Sequence, residues 1–399
     1  MTSVTRATAA DARVASYRSA YLYAGLSNLI FYVPVLLLYF RALGVSAADS
    51  FALVSIYAFV LALTDLPTGV LADALGPRAT LIASSLVGIA GALALGLGSS
   101  FALLATGETL VALGLSLRSG AQPAYVYELA GATRYREAES TVTALSYVGL
   151  ALSASLAGTL FSLQPALVFV ATAGALLASV LTIPAGQSVR AHDALRPGVA
   201  TVVARVLRRI RHDPVLVAVG VLFGAFTTIT GLAYWAYQLY LDAIGVPIGV
   251  IGPAYAASFL ASAAGARYAA RANQRFGAAN VLLVQGVVLV GCVAAMSSVR
   301  HPVGIVLLPL VQVTTGYLFP TFYALLQDRV SDGERATLLS LEGVLQRGAL
   351  ALALLGFGAI VSASSLGDAL RVTAAAGVIV VIATPLTIRR IARATTVTV

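Results

Sequence analysis

The stretch Thr80–Gly98, TLIASSLVGIAGALALGLG, contains no charged residue and is unbroken by proline. At 1.5 Å per residue it crosses about 28 Å as a helix, close to the roughly 30 Å of a bilayer's hydrocarbon core. Two residues later a second apolar run begins at Phe101 and continues to Tyr127. Long uninterrupted runs joined by short corners recur along the whole chain, at 17–40, 50–72, 80–98, 101–127, 139–163, 165–187, 215–241, 246–268, 278–298, 303–327, 335–363 and 367–388. Strands of a membrane barrel would instead alternate apolar and polar residues over shorter segments. The expected fold is therefore all-α and integral to the membrane. It has twelve transmembrane helices in two pseudo-symmetric six-helix bundles.

Composition agrees with lipid as the main solvent. Of 399 residues, 59% are hydrophobic and 10% charged, and mean hydropathy is +0.92. Soluble domains carry about 25% charged residues. This excludes a soluble enzyme, a nucleic-acid binder and a disordered scaffold. The net charge of +9 comes from 25 arginines with no lysine. Nearly all of these arginines lie between spans, so they report topology and not nucleic acid. Placing the N-terminus inside puts 20 arginines on the cytoplasmic side, three outside (Arg41, Arg300, Arg371) and two within spans (Arg118, Arg347). The positive-inside rule then gives both termini cytoplasmic in a multi-pass cell (plasma or inner) membrane protein.

The domain plan follows. Residues 1–16 form a cytoplasmic tail, 17–187 an N-terminal six-helix bundle, 188–214 a cytoplasmic linker, 215–388 a C-terminal bundle and 389–399 a second tail. Within the linker, Val199–Arg211 (VATVVARVLRRIR) reads as an amphipathic helix on the inner leaflet. Weak internal repetition supports a duplication: Gly76 matches Gly277, Pro123 matches Pro320, and Glu139 matches Arg335 in position, at offsets of about half the chain. The single cysteine, Cys292, excludes a disulfide framework. No metal site, cofactor or nucleotide-binding loop is expected.

Polar residues in spans must face protein or water. Span 1 carries Tyr21, Gly25, Asn28 and Tyr32 on one helical face. Span 4 carries Glu108, Arg118, Gln122 and Tyr125, span 7 Thr227, Gly231, Tyr234 and Gln238, and span 10 Gln312, Gly316, Phe319 and Tyr323. Spans 3, 6, 9 and 12 lack such stripes. The recurrence every third helix predicts a central polar cavity lined by Tyr21, Asn28, Tyr32, Arg118, Gln122, Tyr125, Tyr234, Trp235, Gln238, Gln312, Phe319 and Tyr323. Glu108 and Glu342 are the candidates for carrying a proton, since a charge at mid-helix costs roughly 2.5–3.5 kcal/mol on insertion scales. Helix-gluing contacts and structural ion pairs are the competing explanations for these polar groups.

Asp65-Leu-Pro-Thr-Gly69-Val-Leu-Ala-Asp73-Ala-Leu-Gly76-Pro-Arg78 resembles the loop motif between spans 2 and 3 of the major facilitator superfamily. Arg118-Ser119-Gly120 with Tyr125–Glu128, and Glu334-Arg335-Ala336-Thr337 through Ser340, resemble one branch of it that is rich in exporters. The resemblance implies a secondary transporter working by alternating access. It also implies a gating role for Asp65, Gly69, Asp73, Gly76 and Arg78, with Asp73 contacting the start of span 11 at 331–334. The expected substrate is a small amphipathic or aromatic molecule, moved by proton-coupled export (antiport) in a monomer that is not an enzyme. Import or facilitated uptake of a nutrient is the alternative. A membrane-embedded transferase or receptor is a more distant one.

Overall fold

The structure, a computed structural model, describes residues 17–184, 208, 214–327 and 332–396. The described residues form helices and no strands. We number the α-helices α1 (17–27), α2 (Leu36–Ala42), α3 (Ala47–Leu75), α4 (Pro77–Gly96), α5 (Phe101–Leu163) and α6 (Leu167–Leu181). The C-terminal half supplies α7 (Pro214–Ala243), α8 (Ile248–Phe276), α9 (Ala278–Ser298), α10 (Leu307–Gln327), α11 (Asp332–Ala363) and α12 (Leu366–Thr396). Helices dominate because a backbone N–H or C=O in hydrocarbon must be satisfied within its own segment. Nine helices among the described residues are long and apolar enough to cross a bilayer, by length and composition. The predicted linker helix, 199–211, lies outside the described residues apart from Arg208.

Two elements differ from the sequence expectation. The first span is not one helix. α1 stops after Ser27, residues 28–32 are non-helical, and a 3₁₀ turn at Val33–Val35 leads into α2. Pro34 lacks the N–H that would bond the Ile30 carbonyl in a continuous helix. Upstream, the Ser27 carbonyl accepts from the Arg118 guanidinium, and the Phe31 N–H is taken by Thr172 Oγ1 at 3.0 Å. The second difference is that spans 4 and 5 are two helices, 101–130 and 132–163, that meet at a single non-helical residue, Gly131 at φ 64, ψ 172; we label them together as the two arms of α5. The connecting sequence is rich in Ala, Arg and Glu, good helix formers that carry the helix past the apolar region. Each arm, 101–130 and 132–163, is long enough to span.

The chain forms two compact units. One holds α1 through Pro34, α3 from Leu63, and α4–α6; the other holds Val35–Ala62 together with α7–α12. In the first unit α4 packs on α5 and α6. In the second, α9 packs on α10 and α12 in the equivalent pattern, and α8 lies along α10. The α8–α10 approach is close because Gly265 and Gly316 face the partner backbone, where any Cβ would collide with the Val313 and Ser262 carbonyls.

Turns repeat as well. Gly44 (φ 79) and Gly245 (φ 77) end α2 and α7, and Gly76 (φ 83) and Gly277 (φ 80) open α4 and α9. Both pairs are 201 residues apart. The first two turns share their hydrogen bonds: Gly44 N–H to Arg41 C=O and Gly245 N–H to Asp242 C=O, each 3.0 Å. A left-handed glycine just past a helix end is the usual way to satisfy its last carbonyls.

Candidate functional site

In the first unit the candidate site gathers at the break after α1. Arg118, 9% exposed on the first arm of α5, donates Nη1 to the Ser27 carbonyl. Asn28 turns back to cap α1, Nδ2 donating to the Ala24 carbonyl at 2.8 Å. The second arm of α5 closes on this point at Gly149, where a Cβ would strike the Gly25 carbonyl. A discontinuous helix of this kind exposes backbone polar groups in the membrane interior, a setting found where protein lines a cavity. The structure thus brings Asn28 and Arg118 together. Gln122, half-buried one turn further along, forms no hydrogen bond among the described residues.

The other candidates of this unit are dispersed. Tyr32 is buried and stacked on Phe169 at 5.3 Å. Tyr21 is half-buried and stacks on Tyr17 at 6.3 Å. Tyr125 is fully buried, sharing a 2.7 Å hydrogen bond with Ser19 Oγ and lying 5.8 Å beneath the Arg78 guanidinium. Glu108 is 2% exposed, and its Oε1 has no hydrogen-bond partner. It stands ten residues from Arg118, about 15 Å along the helix, too far to pair with it. No described residue forms a salt bridge with Glu108.

Of the residues expected to gate, Asp65 joins a polar seam between α3 and α5. Asp65 Oδ1 accepts from Ser116 Oγ at 3.0 Å, and Thr68 Oγ1 donates to the Ser116 carbonyl at 3.0 Å. Arg78 pairs with Glu128 at 2.9 Å. Gly76 holds the left-handed turn. The side chains of Gly69 and Asp73 and the 331–334 contact proposed for Asp73 lie outside what is described. So do the side chains of Tyr323 and Glu342.

In the second unit, Gln238 is fully buried and its Oε1 accepts the Leu37 N–H at 2.8 Å. Tyr234 and Tyr255 meet edge to face at 5.2 Å, with Tyr255 Oη donating to the Tyr234 carbonyl at 2.8 Å. Trp235 flanks Tyr234 at 5.6 Å. Gln312 Oε1 accepts from Thr315 at 3.1 Å, and Phe319 lies edge-on to Phe223 at 5.1 Å. Tyr57 of α3 is close enough to interact electrostatically with both Tyr234 and the Arg347 guanidinium.

Sequence reasoning missed Tyr57, Thr172 and an ion pair, Arg41 to Asp242 at 2.8 Å. A signal for the ion pair existed. Arg41-Ala-Leu-Gly-Val45 and Asp242-Ala-Ile-Gly-Val246 are alike in sequence and lie 201 residues apart.

Comparison with known proteins points one way. The family described as Major Facilitator Superfamily matches residues 19–354. No curated protein matches the chain. Among solved structures, the nucleoside transporter NupG superposes with a TM-score of 0.79 at 14% identity, covering 94% of this chain and 98% of that one. A bacterial homolog of the human lysosomal transporter Spinster, inward-facing and unoccupied, gives 0.75 at 14% identity, over 96% and 98%. An auto-inhibited POT family peptide transporter gives 0.70 at 15% identity, over 94% and 97%. At these identities the likeness concerns the fold.

Proposed function

Since the chain belongs to the major facilitator superfamily, a family of membrane transporters, we propose that it exports a small amphipathic or aromatic molecule in exchange for protons. Its twelve crossings form two six-helix halves that rock about a site near the bilayer midplane. Asn28, Arg118 and Gln122 supply hydrogen bonds to the substrate, with Arg118 suited to an anionic group. Tyr234, Trp235 and Phe319 supply aromatic contact. Both termini are cytoplasmic, the protein works as a monomer in the cell membrane, and the Asp65–Arg78 segment gates the inner side. Glu342 is a second proton carrier.

The observation that carries proton coupling is Glu108. A carboxyl buried in a membrane helix, with an oxygen that has no partner, is the residue type that marks proton relays. Its role requires the proton to be loaded on one side of the membrane and released on the other.

Purified protein in sealed vesicles with an imposed proton gradient tests the reading. A substrate panel is first screened by thermal stabilisation and includes nucleosides, because one structural neighbour is a nucleoside transporter. Accumulation against the proton gradient is expected, with Glu108→Gln abolishing accumulation while preserving downhill exchange. Accumulation that follows the protons would instead establish symport and import. Coupled accumulation unchanged in Glu108→Gln would remove Glu108 from the mechanism.

A further inference from the structure

α8 ends in a basic face. Arg267, Arg271 and Arg275 follow one another at four-residue spacing, which stacks them on one side of the helix, and all three are exposed. The opposite side is buried at Gly265 and Ala269, with Gly265 pressed against α10. Like charges four residues apart on a helix repel. None of the three forms a salt bridge or hydrogen bond among the described residues, whereas Arg41, Arg78 and Arg371 are each paired with a carboxylate. The sequence offers no acid nearby. From Ala243 to Gln327, which covers all of α8, α9 and α10, there is no Asp or Glu.

The matching turns at Gly76 and Gly277 show what is particular to this corner. Counting back equally from each, Leu66, Val70 and Ala74 stand where α8 has Arg267, Arg271 and Arg275. Asp65 and Asp73 stand where α8 has Ala266 and Gln274. The α8 face therefore carries three positive charges and neither carboxylate. Arg275 lies in the last turn, where a cation offsets the helix dipole. Arg267 and Arg271 lie too far from the end for that role.

Toward the start of α8 the same face continues through Ala264, Leu260 and Ala257, all exposed, Leu260 by 68%. These apolar positions belong to a membrane span and meet hydrocarbon. From Ile248 to Arg267 the helix rises about 28 Å, close to the roughly 30 Å of the hydrocarbon core, and Arg271 lies about 6 Å further, in the headgroup layer. Tyr268, exposed beside Arg267, is a residue type enriched at that level. One helix face thus passes from acyl-chain depth to phosphate depth.

We infer that this face binds one anionic phospholipid, its acyl chains along Leu260 and Ala264 and its phosphate between the Arg267 and Arg271 guanidiniums. Guanidinium forks match phosphate oxygens two at a time. The lipid supplies the negative charge that α8, α9 and α10 lack, and its tails fit the apolar stripe that the arginines continue. Each arginine near an anionic lipid surface contributes about fivefold in affinity. The site is separate from the proposed substrate cavity, and measuring it requires no flux.

Native mass spectrometry of the full-length protein in detergent tests this, with phosphatidylglycerol or phosphatidylcholine of identical acyl chains titrated in. The first phosphatidylglycerol is expected to bind about fivefold tighter than the first phosphatidylcholine, or better. Arg267→Gln and Arg271→Gln should each weaken phosphatidylglycerol about fivefold. Their phosphatidylcholine affinity should not change, which shows that the fold is intact. Arg134→Gln combined with Arg136→Gln, at two exposed arginines of α5, removes charge elsewhere and should leave phosphatidylglycerol binding as it was. Glycerol 3-phosphate, which has the phosphate without the tails, should not displace the lipid at millimolar concentration. Equal affinity for the two lipids, unchanged binding in both α8 variants, an equal loss in the α5 variant, or displacement by glycerol 3-phosphate would each overturn the inference.

Discussion

Thr172→Val tests whether the break after α1 is built as described. Thr172 is 2% exposed, and its hydroxyl does two things. It donates to the Val168 carbonyl at 2.8 Å and accepts the Phe31 N–H at 3.0 Å. Valine has nearly the same shape, so the packing at this buried position is retained. The Val168 carbonyl keeps its ordinary place in the α6 ladder, but the buried Phe31 N–H has no substitute. Leaving one buried donor unsatisfied costs about 1–3 kcal/mol. Thr172→Ser keeps the hydroxyl and loses only a methyl, worth about 1 kcal/mol or less. Unfolding of the three proteins in one detergent, followed through the single tryptophan, should rank them wild type, then Ser, then Val. The Ser–Val gap isolates the hydrogen bond. A valine variant as stable as the serine variant would show that Thr172 does not hold the broken segment.

Three further outcomes follow from the same geometry. Gly131→Ala should destabilise by about 1–3 kcal/mol in the same unfolding measurement, since φ 64, ψ 172 is backbone that only glycine adopts readily; no neighbouring atom lies within 4 Å of the added methyl. Gln238→Leu removes the acceptor of the Leu37 N–H and should cost about 1–3 kcal/mol. Arg41→Asp and Asp242→Arg should each weaken the clasp between α2 and α7, and the double reversal should restore it; both side chains are exposed, so the double-mutant cycle should return at most about 1 kcal/mol, diminishing in high salt.

How far the sequence led depends on which physics acts at each place. The apolar runs were legible because a bilayer imposes a requirement on composition and length, and both can be counted. Arg118 was legible as a costly charge in a span, but its partner was not. That partner is the Ser27 carbonyl, an atom every residue possesses, and only the tertiary fold selects it. The break after Ser27 was half-signalled by Pro34. A proline in a membrane helix often produces only a kink; here Arg118 and Thr172 capture the freed groups from more than ninety residues away and turn the kink into an interruption. Tyr125 shows the limit of helical spacing. It shares a face with Arg118 and Gln122 by sequence, yet it is packed against Ser19 and Arg78. Spacing identifies a common face and does not say what that face meets.

The Arg41–Asp242 pair carries the duplication argument further than the glycine offsets do. Matching turns at Gly44 and Gly245 show that two segments solve the same local problem in the same way, and unrelated helices ending in a left-handed glycine would do likewise. An ion pair between the residues preceding those turns is harder to reach independently. Copies of one ancestral segment begin with the same residue, and like charges facing each other at about 3 Å repel. A favourable contact between equivalent positions therefore needs one copy to change sign while the surrounding Ala-Leu-Gly-Val and Ala-Ile-Gly-Val frames stay alike. Arg41 and Asp242 have that pattern, opposite in charge within nearly identical frames. The divergence itself marks the contact, and comparing repeat copies for charge reversal within a preserved frame would have located it from the sequence.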